Sequence, residues 1–177
     1  MKKVKVATVW LDGCSGCHMS LLDMDAAIIS LGRKIDIVYG PLVDAQEFPE
    51  DVDVTLVEGA VSSQDDLNKI RKIRQRTHLL VSLGDCAVAG NVPAMRNNIP
   101  VNKLLQRVYI DGSEEKKLIP TDRVPALLKQ ARPLREFVAI DYFLPGCPPS
   151  ADTIFYALQE LVAGRIPQFE TTPRFGA

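Results

Sequence analysis

Short apolar, β-branched runs alternate along this chain with stretches whose apolar residues recur every three to four positions. Val4–Leu11 reads as a buried strand. From Cys17 the period changes: Leu21, Met24, Ile28 and Leu31 share one helical face, and Gly32 suits a C-cap. Ile35–Tyr39 predicts a second strand, ended by Gly40-Pro41, and Val52–Val57 a third. Ser62 or Ser63 can cap the next helix, with Asp65 and Asp66 in its first turn. Lys69, Arg71, Lys72, Arg74 and Arg76 follow, the charge order that a helix dipole favours. Leu79–Leu83 predicts the fourth strand and Phe137–Leu144 the fifth. Ser150 caps a final helix that buries Ile154, Leu158 and Leu161 and stops near Gly164.

The alternation predicts an α/β fold, a doubly wound and mostly parallel flavodoxin-like sheet, with residues 1–177 forming one domain. Residues from about 87 to 136 break the rhythm as a long insertion after the fourth strand. They hold Pro93, Pro100, Pro120, Pro125 and Pro133 and a short helical pattern at Val124, Leu127, Leu128 and Ala131. Such a segment is either a solvated excursion or a face that binds a partner. The tail from Arg165 to Ala177 is polar and aperiodic, so it frays or orders against a partner.

A chain of 177 residues has room for one well-buried domain. Its net charge of −1 gives no general drive toward nucleic acid or an anionic membrane. Met1-Lys2-Lys3 leads straight into the first strand, without a signal-peptide core, and no apolar run approaches transmembrane length. A cytoplasmic protein with no membrane partner is expected. The cytosol keeps thiols reduced, so four cysteines there argue for metal or redox chemistry over disulfides.

Each set of cysteines follows a predicted strand: Cys14 and Cys17 the first, Cys86 the fourth, Cys147 the fifth. In an open parallel sheet those positions share the rim where ligands bind. Four thiolates there suit an iron–sulfur cluster or zinc. A lone C-x-x-C also fits a thioredoxin-like dithiol, but the two further cysteines at equivalent strand ends weigh against it. Structural zinc sites draw ligands in two close pairs, and only Cys14 and Cys17 are close, so the cluster leads. Gly13 and Gly16 let backbone approach the sulfurs. In a 2-1-3-4-5 order the first and fifth strands lie roughly 14 Å apart at about 4.8 Å per spacing. The Cys86 and Cys147 loops must then fold inward, and the Pro145–Pro149 turn could supply the reach. Two other classes remain open, a carrier binding FMN at the same rim and a zinc-stabilised binding module. Ser15 and Ser20 offer hydroxyls to the first, without a phosphate-cradling run.

Cys14-Ser15-Gly16-Cys17 with Ser20-Leu21-Leu22-Asp23, Val57-Glu58-Gly59, Gly84-Asp85-Cys86-Ala87 with Gly90, and Leu144-Pro145-Gly146-Cys147-Pro148-Pro149 together resemble the small subunit of [NiFe] hydrogenases. The likeness covers nearly the whole chain. The iron–sulfur subunit of quinone oxidoreductase-like complexes is the competing relative, but it typically carries two adjacent cysteines where this chain has a spaced pair. The resemblance implies one proximal [4Fe–4S] cluster on Cys14, Cys17, Cys86 and Cys147, and a nickel–iron centre in a separate large subunit. No cysteines remain for further clusters and no twin-arginine signal is present, which looks like the soluble, NAD(P)-reducing enzymes. Electrons would then pass to a diaphorase module carrying iron–sulfur, FMN and NAD(H), since this chain has no G-x-G-x-x-G.

On that reading Glu58, at the rim beside the cysteines, could relay protons, tune the potential or ligate iron in the oxidised cluster. Equally it could be a loop carboxylate satisfied by backbone N–H groups. His18 could donate to a cluster sulfur or sit on a helix surface. Trp10 and Tyr142 read as core or interface aromatics. The Lys69–Arg76 run reads as a solvated helix face.

Overall fold

The structure is a computed structural model that describes residues 3–114 and 117–169. The elements in chain order are β1 (Val4–Trp10), α1 (Gly16–Leu22), α2 (Ala26–Leu31), β2 (Ile35–Tyr39), β3 (Val52–Glu58), β4 (Val61–Ser63) and α3 (Gln64–Gln75). Then follow β5 (Thr77–Leu83), α4 (Gly84–Ala89), α5 (Asn91–Ala94), α6 (Val101–Gln106), β6 (Leu127–Arg132), β7 (Tyr142–Leu144) and α7 (Ala151–Val162).

Five strands form one parallel sheet in the order β2-β1-β3-β5-β7. Counting only these strands, this is the flavodoxin-type order expected from the alternation. Because successive side chains point to opposite faces, each central strand feeds two cores. Val6, Val54, Leu56, Val81 and Leu83 pack with Met24, Leu31, Ile154 and Leu158 from α1–α2 and α7. Ala7, Val9, Val57 and Leu80 pack with Ile70 and Ile73 of α3 on the other face.

Caps behave as the residue types demand. Ser63 Oγ accepts from Asp66 N–H at 3.1 Å and the Asp66 carboxylate accepts from Ser63 N–H at 2.9 Å, a reciprocal box at the start of α3. Ser150 Oγ accepts from Thr153 N–H at the start of α7. The single helix expected from Cys17 to Leu31 is instead two, broken where Asp25 takes φ 50°. The kink still leaves Met24 and Leu31 in one core.

Two expectations change more. The pattern Val124, Leu127, Leu128 and Ala131, read as helical, holds a strand: β6 pairs antiparallel with β4, Val61 opposite Arg132 and Ser63 opposite Leu127. Only Ala131 of that set is fully buried, so the apolar face is too thin to hold a helix against pairing. Arg96 and Asn97 lock the pair in place. Arg96 donates to Ser62 O and Leu128 O, and the Asn97 amide exchanges two 2.8 Å bonds with the Ala131 backbone. The fifth strand shrinks from Phe137–Leu144 to Tyr142–Leu144; Leu134–Glu136 is a 3-10 turn, and Phe137, Val138 and Ile140 pack into the α3 core.

The Lys69–Arg76 face is solvated only in part. Lys69 and Arg71 are exposed, whereas Arg74 forks onto Thr77 O at 2.6 Å, His78 O at 3.1 Å, Ala139 O at 3.2 Å and the Asp141 carboxylate. Arg76 reaches Phe48 O and Glu50. These cations fasten the lower edge of the sheet, opposite the cysteines. From Arg165 to Phe169 the chain folds back on α7, with Arg165 paired to Glu160 and Phe169 edge-on to Tyr156. The rest of the aperiodic tail, 170–177, lies outside the described residues, as do Met1 and Lys2.

Replacing Arg74 by Lys is expected to keep the charge and lose the fork, since one ammonium cannot reach carbonyls on both sides. The urea midpoint should fall by a stability loss of about 1–2 kcal/mol with an unchanged slope. An unchanged midpoint would show that the fork holds nothing together.

Candidate metal centre

The site grows from a crossing of two chain exits. Beyond the last β1–β3 ladder pair, Leu11 N–H donates to Glu58 O at 2.9 Å, and Asp12 and Ala60 exchange bonds of 3.1 and 2.7 Å. The backbones pass so closely that only glycine fits at residue 59. Its φ is +96°, and a Cβ there would lie 2.8 Å from Leu11 C and 2.9 Å from Asp12 N. The Cys14–Cys17 loop is thereby laid over the end of β3.

There Glu58, 1 % exposed, turns its carboxylate under the first turn of α1. Cys17 N–H donates to one oxygen at 3.3 Å and His18 N–H to the other at 3.0 Å. The His18 ring Nδ1 contacts that second oxygen as well. The α1 N-cap residue, Ser15, has φ +64° and makes no side-chain cap bond. A carboxylate from a neighbouring strand satisfies the orphan N–H groups in its place. Of the two expectations for Glu58, the backbone-satisfied carboxylate matches this geometry. His18 is mostly buried beside it, with Nε2 unpartnered among the described residues.

Cys86 and Cys147 arrive from the other side. Asp85 and Gly146 form a closed pair: Asp85 N–H donates to Gly146 O and Gly146 N–H donates to Asp85 Oδ1, both at 2.8 Å. Ser20 Oγ, on α1, donates to Pro149 O at 2.5 Å. The Pro145–Pro149 turn is thus pinned to α4 and α1 at once, which gives the inward reach that the strand spacing requires. Gly84, at φ +77°, lies directly against Cys17 Sγ, so that any side chain at residue 84 would overlap the sulfur.

Two sulfurs receive N–H donors: Gly16 N–H points to Cys14 Sγ at 3.4 Å and Asn91 Nδ2 to Cys147 Sγ at 3.3 Å. The surroundings work against negative charge on the deeper thiols. Burial, then Glu58, Cys86, Cys14 and Cys147, push the Cys17 thiol far above its usual range. Burial raises Cys86 too, against the Val92 N–H, with Cys14, Cys147 and Glu58 adding to the rise. Cys17 feels the three other thiols as well as Glu58, and a cation beside it would relieve that repulsion and favour its thiolate. Soft sulfur donors with N–H groups aimed at them fit an iron–sulfur cluster. Among the described residues no group of three or more Cys, His, Asp or Glu is arranged to hold a metal ion.

The predicted residues Cys14, Cys17, Glu58, His18, Cys86 and Cys147 therefore all lie at the same rim. Trp10 is an exposed aromatic whose indole donates to Gly13 O, and Tyr142 is half-buried with its hydroxyl on Pro167 O. Two residues of the site, Asp85 and Asn91, are not among those that the sequence pattern singles out. Asp85 lies inside the Gly84-Asp85-Cys86 motif, and Gly90-Asn91 is a dipeptide suited to left-handed turns. No helix among the described residues is long and apolar enough to cross a membrane.

Residues 14–161 match the family model described as NADH ubiquinone oxidoreductase, 20 Kd subunit. The chain is 39 % identical over 168 residues to the delta subunit of the NAD-reducing hydrogenase HoxS of Cupriavidus necator, covering 92 % of this chain and 80 % of that one. It is 38 % identical over 170 residues to a subunit of the vhu F420-non-reducing hydrogenase of Methanocaldococcus jannaschii, covering 95 % of this chain and 59 % of that relative. The chain thus spans little more than half of the methanogen protein. A crystal structure of an NAD+-reducing [NiFe]-hydrogenase in its H2-reduced state contains a chain that superposes with a TM-score of 0.92. Its identity is 36 %, and 98 % of this chain and 99 % of that chain are covered.

Replacing Glu58 by Ala leaves the Cys17 and His18 N–H groups unpartnered. It should destabilise the chain by about 1–2 kcal/mol in thermal unfolding, with Gln less harmful because it keeps one acceptor oxygen. Equal melting of Ala and Gln variants would argue against the capping role. Asp85→Ala should speed hydrogen exchange at the Gly146 amide, and unaltered exchange there would mean that the turn is held by other contacts.

Proposed function

The chain belongs to the family of the 20 kDa subunit of NADH ubiquinone oxidoreductase, and on that premise we propose that it is the electron-transferring small subunit of an NAD(P)-reducing [NiFe] hydrogenase. Cys14, Cys17, Cys86 and Cys147 are the proposed ligands of one [4Fe–4S] cluster. The observation that carries this reading is the placement of four cysteines just beyond three strand exits at one rim, with the Cys147 turn pinned inward by Asp85 and Ser20. Structural zinc draws its ligands in two close pairs, whereas here only Cys14 and Cys17 are close in sequence, which favours a multi-iron cluster. Among the relatives, the match spans 99 % of the chain in the NAD+-reducing hydrogenase structure and 80 % of the HoxS delta subunit, against 59 % of the methanogen subunit.

When bound, such a cluster supplies a centre that takes up and gives back one electron at a time. The chain's own residues do the rest. Glu58 holds the Cys17 turn and His18 beneath the site. Asp85 and Ser20 bring the Cys147 turn within reach. The Gly16 N–H offsets charge on the Cys14 sulfur, and burial of Cys17 and Cys86 keeps water from the inner half.

The nickel–iron centre is proposed to lie in a large-subunit partner, and FMN and NAD(H) in a diaphorase module. Beside the cysteines, Trp10, Met19, Leu22, Ile37 and Leu42 expose apolar surface around a cleft of about 350 Å³. A partner laid on that face would remove the apolar surface from water, and with it the exposed Cys14 next to Ser15 of the cleft. The cytoplasm, which keeps thiols reduced, is the proposed location.

The test is iron, zinc and flavin analysis of the anaerobically purified protein and of its four Cys→Ser variants. About four irons per chain are expected, lost when any one cysteine is replaced. Iron loss confined to the Cys14 and Cys17 variants would end the four-ligand assignment. One zinc with no iron would make the protein a structural module, and stoichiometric flavin on this chain without iron would make it a flavin carrier.

A further inference from the structure

We propose that the Asn91 carboxamide is a positioned hydrogen-bond donor to Cys147 that raises the reduction potential of the centre held by the four cysteines, an inference that rests on the cluster reading above. Asn91 Nδ2 lies 3.3 Å from Cys147 Sγ, across 56 residues of chain.

The backbone is bent to achieve this. Gly90 has φ +94° and Asn91 φ +29°, so the chain turns left-handed between α4 and α5. Asparagine is among the few residues with a side chain that tolerate that region, and its short amide can still donate at the bend. Gly90 N–H returns to Cys86 O at 3.0 Å, which fixes the turn against the helix that carries Cys86. Arg135 donates to Val88 O, holding the same helix from outside.

The consequence is electrostatic. An N–H aimed at a ligating sulfur withdraws electron density from it and stabilises the state carrying one more negative charge, so it moves a cluster's potential upward. Cys147 is an exposed thiol, and without Asn91 its partner would be exchanging water. A fixed amide offers the same bond in one orientation, with no water to reorganise as the charge changes.

Two variants test this. Asn91→Gly removes the donor and suits the left-handed turn; Asn91→Asp keeps the shape and replaces the donor by a carboxylate. Each would be purified anaerobically with the chains it assembles with, assayed for iron, and titrated redox-potentiometrically with the electron paramagnetic resonance of the reduced cluster as the signal. Iron content equal to the parent's and a lowered midpoint potential are expected in both, with Asp lower than Gly. A potential at or above the parent's in an iron-loaded variant overturns the proposal. So does loss of iron from both variants, because a residue that tunes the centre is not needed to hold it. Absence of iron from the parent itself would instead remove the cluster reading, and this inference with it.

Discussion

Everything at the upper rim depends on one buried carboxylate. Glu58 ends the central strand of the sheet and, two residues before the chain crosses beneath β1's exit, turns up to meet the N–H groups of Cys17 and His18. A carboxylate so buried is tolerable only where donors surround it, and the open turn of α1 provides them. Strand and helix satisfy each other's exposed polar groups, and the C-x-x-C loop has one place to lie. Burial first, and the same negative charge after it, make the Cys17 thiol reluctant to ionise, which suits a site completed by a cation.

The second constraint is distance. β1 and β7 are separated by β3 and β5, so sulfurs that stood above their own strands would be too far apart to share one group. The fold closes the gap from one side. The chain after β7 is drawn back over β5 by Asp85 and Gly146, and Ser20 anchors its far end to α1. Gly84 then leaves room for Cys17 where any other residue would block it. Position along the sheet is set by strand order, whereas convergence is set by a few polar contacts between loops.

The two edges of the sheet serve different ends. At the lower edge, guanidinium groups from α3 tie down the turns leading into β3, β5 and β7, using carbonyls and carboxylates that face solvent in part. At the upper edge the polar groups are fewer, more deeply buried, and in the case of Asp85 Oδ2 and His18 Nε2 left without partners among the described residues. A rigid base beneath a strained rim is a usual division between scaffold and site.

Much of this was legible in the chain itself. Uninterrupted β-branched runs could only be strands buried on both faces, and their alternation with amphipathic segments led to a parallel sheet in flavodoxin-type order. Cysteines placed just after strands had to share its rim. Those readings rest on local periodicity, which belongs to sequence. Other features were decided by tertiary contact. Leu127–Arg132 became a strand because β4 offered an edge to pair with, and residues 137–141 left the sheet because the α3 core took Phe137, Val138 and Ile140 while Asp141 bonded to Arg74 and Leu80 N–H. Glu58 as a cap, Asp85 as a clamp and Asn91 as a donor to sulfur each join residues 40 or more positions apart. A hydrogen bond of that kind needs an acceptor and donor brought together by the whole fold, and periodicity carries no record of it.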